Sequence, residues 1–61
     1  MGKYTIQSRK FTWDPWSTWT QHHFNTVTEA KDWMNQHGYK IGDYHRIVEA
    51  YTVTRYKAVK V

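Results

Sequence analysis

Thr26-Val27-Thr28-Glu29-Ala30-Lys31-Asp32-Trp33-Met34-Asn35-Gln36-His37-Gly38 is the stretch that decides the fold. Its first four residues fit the S/T-x-x-E capping box, with Thr26 as N-cap and Glu29 at the third helical position. Gly38 is a natural residue for the left-handed position just past a helix end. Between these signals, Val27, Ala30, Trp33, Met34 and His37 fall on one face at helical spacing. Glu29, Lys31, Asp32, Asn35 and Gln36 make the wet side. A helix of about three turns is not stable alone, so its Trp33 face must pack on something.

The flanking segments supply a sheet. Residues 3–11, KYTIQSRKF, alternate Tyr4 and Ile6 with Thr5 and Gln7 and read as a strand. Thr12-Trp13-Asp14-Pro15-Trp16 is a turn, because Asp14 before Pro15 avoids the helical region. Residues 16–24, WSTWTQHHF, are rich in Thr and aromatics and read as a second strand, antiparallel to the first. Gly38 to Asp43 reads as a loop. Residues 44–61 are β-branched and aromatic throughout. At ~3.3 Å per residue they would span about 60 Å as one strand, too long for so small a domain. A fold-back near Thr52–Arg55 is expected, giving segments 44–53 and 55–61, although no Gly, Pro, Asn or Asp marks a tight hairpin there. One long strand serving an oligomer is the alternative.

Composition narrows the class. The chain has 61 residues, four Trp, five Tyr, two Phe and no Cys. A domain of this size buries only about 60% of its unfolded surface. Disulfides are excluded, so packing, oligomerisation or a ligand must help. Ile6, Ile41 and Ile47 are the only isoleucines and leucine is absent, so the core is expected to come from Trp, Tyr, Val and Phe. Nine Lys/Arg against five Asp/Glu give a net charge of +4, which favours anionic partners or serves solubility alone. No apolar run is long enough for a membrane span, and the polar first ten residues do not resemble a signal peptide. A reducing cytosol is compatible with the lack of cysteine.

Two constellations are candidates for binding. Trp13, Trp16 and Trp19 flank Asp14-Pro15, and a ring exposed there is a stacking platform for a base. On a strand Trp16 would share a face with Thr18, while Trp19 would point to the other. Both cannot enter one core, so one is expected to be half exposed or covered by a partner. The second constellation is Tyr44, Arg46, Tyr51, Arg55, Tyr56, Lys57 and Lys60, which mixes phosphate donors with π faces. The plainer reading is a strand with a charged wet face. Trp13, Trp16, Tyr44, Arg46, Tyr51, Arg55, Tyr56 and Lys57 are therefore the nominated ligand-binding residues, without the claim of one pocket.

Catalysis, metal and cofactors are not expected. His22 and His23 are adjacent on the expected strand and so point to opposite faces, and no histidine pair has helical metal-ligand spacing. No nucleophile stands beside a base.

Thr26–Trp33, with its Thr-x-Thr-Glu-Ala opening, followed by Tyr44–Glu49, Tyr-x-Arg-Ile-Val-Glu, resembles small accessory proteins of tailed bacteriophages. That resemblance implies a host-takeover or anti-defence factor, acting in the bacterial cytoplasm as an oligomeric sponge for a nucleotide signal or as a binder of a host protein.

The sequence thus predicts one α+β domain over residues 1–61, in the order β-β-α-β(-β). One helix should pack on one face of a small, mostly antiparallel sheet and leave much of the other face open. The expected function is non-enzymatic sequestration of an anionic nucleotide or short nucleic acid by a homo-oligomer. The alternatives are a protein-binding inhibitor of a host defence or regulatory protein, and a structural or assembly module.

Overall fold

The computed structural model describes residues 2–60. Its elements are β1 (Tyr4–Ser8), β2 (Ser17–Thr18), α1 (Val27–Gln36), β3 (His45–Ala50) and β4 (Tyr56–Ala58). The strands form one antiparallel sheet in the order β2-β1-β3-β4, a small α+β fold. β1 and β3 run side by side at its centre, with Ile6 opposite Ile47 and Gln7 opposite Arg46. The expected strand end at Val61 lies outside the described residues.

α1 begins and ends where its caps place it. The Glu29 amide donates to Thr26 Oγ1 at 3.1 Å, and Glu29 Oε2 accepts from the Asn25 amide at 2.9 Å. The return arm of the box therefore reaches one residue further back than the simplest version of the motif. Gly38 takes φ +79°, a left-handed conformation that a side chain would strain. Thr26→Ala should cost about 1 kcal/mol, seen as a lower urea midpoint with unchanged slope.

Ala30 and Met34 meet Ile6 and Ile47 in the core. The core thus differs from the aromatic one expected: the buried apolar side chains among the described residues are Ile6, Ala30, Met34, Ile47 and Val48. Tyr4, Trp19, Phe24, Trp33 and Tyr39 pack round them half-buried. Large rings are seldom wholly enclosed in a domain this small, so they form a rim over aliphatic contacts.

The expected second strand, 16–24, is interrupted. Only Ser17–Thr18 pair regularly with β1, and pairing resumes at Phe24 opposite Tyr4. Between them Trp19 to His22 turn, the His22 amide donating to the Trp19 carbonyl at 3.3 Å. Thr5 closes this excursion: its hydroxyl bonds the carbonyls of both Trp19 and His22. The buried Thr5 thus does what ladder bonds would have done.

The segment after the loop folds back through residues 51–55, with the Tyr51 amide donating to the Arg55 carbonyl at 3.2 Å. Ala50 then pairs with Tyr56, and the strands are β3 and β4, shorter than expected. The sheet face turned from α1 is less open than expected: Thr5, Gln7 and Val48 on it are all buried.

Glu49 ties the edge. Its carboxylate lies 3.0 Å from Lys3 Nζ and 3.6 Å from Lys57 Nζ. The hydrogen bond from Lys3 holds the Glu49 carboxyl below the ordinary range, and the same bond raises the Lys3 ammonium. The carboxyl contribution is present above its unfolded value and disappears as pH falls through the depressed folded value. The ammonium contribution is complete below the lysine range and is lost as pH rises through the raised folded value. The bridge therefore helps most between the two ranges. Glu49→Gln should flatten the acid limb of a melting-temperature profile, with a small effect because the pair is solvent-exposed.

Candidate functional site

Side chains alternate along strands, so the residues flanking Ile6 and Ile47 point away from α1. Gln7, Arg9 and Arg46 belong to that far face, as do Thr18, opposite Gln7, and Trp16. They form one constellation. The guanidinium carbons of Arg9 and Arg46 lie 4.2 and 4.3 Å from the centre of the Trp16 ring. Contacts of this kind draw a cation to the electron-rich ring face.

Hydrogen bonds fix both arginines from behind. Arg46 Nε donates to Gln7 Oε1 at 2.8 Å, and Gln7 Nε2 donates to Thr18 Oγ1 at 3.0 Å. Gln7 is only 6% exposed, so this relay is rigid. Arg9 Nε donates to the Asp43 carbonyl at 2.7 Å, and the Arg9 amide donates to the Tyr44 carbonyl at 3.0 Å. A guanidinium has five N–H donors, so anchoring through Nε leaves the terminal fork for another acceptor.

Charge at the site is not balanced from within. Among the described residues the ion pairs are those of Glu49 with Lys3 and Lys57, and neither Arg9 nor Arg46 meets a carboxylate. Burial first, and then the neighbouring Arg9 charge, push the Arg46 guanidinium below its ordinary value. It remains a cation, since arginine does not deprotonate in proteins. Two like charges that share one ring are under mutual repulsion, which a nearby anion would relieve.

The connection from β1 to β2 adds rings beside this pair. The Asp14 amide donates to the Phe11 carbonyl at 3.0 Å, closing a turn over residues 11–14. Phe11 and Trp13 stack across it, centres 4.8 Å apart and planes 1° from parallel. Trp13 is 78% exposed, and Lys10 Nζ stands 5.7 Å from the centre of Phe11.

The nominated residues divide into separate groups. Trp16 and Arg46 come together, and Arg9 joins them. Because arginines cover its ring, Trp16 serves as a cation platform rather than the base platform expected of it. Trp13 is at the adjacent turn. Tyr44 borders a shallow depression of about 400 Å³ framed by residues 38–45, in which the charges of Lys40 and Asp43 offset one another. Tyr51 and Arg55 are exposed on the loop 51–55, Tyr56 follows in β4, and Lys57 is engaged by Glu49. Five residue steps separate Arg46 from Tyr51 at the start of that loop, roughly 16 Å at ~3.3 Å per residue. One phosphate cannot touch both groups.

Trp19, expected to oppose Trp16, does point to the α1 side. It packs edge-on against Trp33 and Tyr39, and its Nε1 donates to Ser8 Oγ at 2.7 Å. His22, His37 and His45 join the same cluster of rings. Among the described residues no group of three or more His, Asp or Glu side chains is placed to hold a metal ion. No helix among them is long and apolar enough to cross a membrane.

Comparison of the chain with known protein families, with characterised proteins and with solved structures finds no match. The geometry of the site alone therefore carries the functional argument.

Arg9 and Phe11 were not singled out by the sequence reading. A signal for Arg9 was present in the alternation: Gln7 and Arg9 share parity on one strand, as Trp16 and Thr18 do on the next. Local composition drew attention instead to the C-terminal segment, where rings and cations are denser but lie at the other end of β3.

Proposed function

We propose that this protein is a non-enzymatic binding module for a phosphate-bearing ligand, a nucleotide or short nucleic acid. The observation that supports this most is the pair Arg9–Arg46 on Trp16, held by Nε and lacking any carboxylate partner among the described residues. Fixed guanidinium forks suit phosphate because their planar donors match two of its oxygens at once. Stoichiometric sequestration needs only such a grip, and no residue of the constellation is arranged as a nucleophile beside a base. A phage-type role in a bacterial cytoplasm belongs to the same proposal.

Titration by intrinsic Trp fluorescence tests it, using nucleotides, cyclic dinucleotides, single strands and duplexes at low salt. Trp16 lies under both cations, so occupancy should change its emission. Binding should weaken with salt. With about two phosphates engaged and a logarithmic slope of ~0.7 per phosphate, raising salt from about 50 to 200 mM should cost roughly seven-fold in affinity. Absence of any signal across the panel would end the reading. In that case, recovery of one stoichiometric host protein in a pull-down would put the inhibitor alternative first.

A further inference from the structure

We infer that the ligand is a single-stranded nucleic acid, held across at least two nucleotides by residues 9–16 together with Arg46. The inference rests on the phosphate reading of Arg9 and Arg46 and adds what the neighbouring turn contributes. Along that connection cation and ring alternate: Arg9 on Trp16, then the Phe11–Trp13 stack, with Lys10 over the Phe11 side. A strand presents phosphate, base and phosphate in the same alternation. A mononucleotide carries its phosphates in one contiguous group and would leave Lys10 or the arginine pair unused.

The exposed ring selects the strand state. Trp13 is stacked on Phe11 yet remains 78% exposed, so it offers a flat surface to a base. Bases within a duplex are already stacked on one another and cannot lie on it, whereas unpaired bases can. Stacking of this kind tolerates any base, because every base has a π face. The turn is closed by the Asp14–Phe11 backbone bond, so the platform is set before the strand arrives.

The experiment is a length series at fixed low salt: thymidine monophosphate, then oligothymidylates of two to six nucleotides, the uridylate counterparts, and a GC-rich duplex long enough to stay paired at that salt, compared with its own separated strands. Affinity should rise at least ten-fold from the monophosphate to the trinucleotide and then level off, for deoxy and ribo chains alike. The duplex should bind more weakly than its free strands. Trp13→Ala, at an exposed position that folding does not need, should lower oligonucleotide affinity roughly ten-fold while leaving monophosphate binding within two-fold. A flat length series, or a duplex that binds as well as its strands, would overturn the single-strand inference while leaving the phosphate reading intact. No binding by any member would remove both.

Discussion

Trp33→Ala should cost about 3–5 kcal/mol of stability, a large part of what a chain this small possesses. Trp33 is the meeting point of the ring cluster over the α1 side of the sheet. Its ring lies 4.9 Å from His22, 6.0 Å from Phe24, 5.9 Å from Tyr39 and 5.8 Å from Trp19, measured between centres. His37 stacks on it at 4.1 Å, and His37 Nδ1 also meets the Trp33 carbonyl at 2.9 Å. One side chain therefore joins the helix to the segment between β2 and α1 and to the loop after the helix. Removing a ring of this size costs about 3–5 kcal/mol. At ~0.05–0.15 kcal/mol per residue, a chain of this length has only about 3–9 kcal/mol in all. The loss therefore takes from about a third to all of the stability. Near-ultraviolet circular dichroism and a urea titration would read it. Trp33→Phe, which keeps a ring, should recover a substantial part, and Trp13→Ala should move the urea midpoint little. An unchanged midpoint in Trp33→Ala would mean that α1 is not anchored through this face.

The helix was legible because every signal for it is local. Thr26, Glu29 and Gly38 act on amides and carbonyls within a few residues, and the spacing of Ala30, Trp33 and Met34 fixes the inward face. The strand pairing of the first half was legible in direction but not in detail. Nothing local in Trp19-Thr20-Gln21-His22 announces a break, because the group that satisfies its carbonyls is the hydroxyl of Thr5, far back in the chain. The core was misjudged for a related reason. Counting rings says how much apolar surface exists, but only the β1–β3 register, with Ile6 opposite Ile47, decides which side chains are enclosed on all sides. The candidate site fell between these cases. Trp16 and Arg46 were nominated from opposite ends of the sequence, and they meet because β1 lies between β2 and β3. Arg9, the third member, sits on that intervening strand's extension and draws no notice by composition.

Arg9→Ala should weaken oligonucleotide binding by roughly ten- to a hundred-fold while barely changing stability. A hydrogen bond to a charged group contributes about 1.5–3 kcal/mol, and ~1.4 kcal/mol is a factor of ten in affinity. The Arg9 side chain gives up one bond to the Asp43 carbonyl, at a solvent-exposed contact where water can replace it. Arg46 needs a different substitution. Its Nε satisfies Gln7 Oε1 in a buried setting, so Arg46→Ala would strand that acceptor at a cost of about 1–3 kcal/mol to folding. Arg46→Lys keeps the charge and removes the fork. If phosphate is held by paired donors, the lysine variant should lose most of the affinity that alanine would; if only the net field matters, it should bind as well as the parent. Arg55→Ala provides the comparison from the other end of β3. It lowers the overall charge by the same amount as Arg9→Ala, so a field effect would make the two variants equal. A loss confined to Arg9→Ala and Arg46→Lys places the phosphate on Trp16's arginines, and an equal or larger loss in Arg55→Ala would move it to the β3–β4 loop.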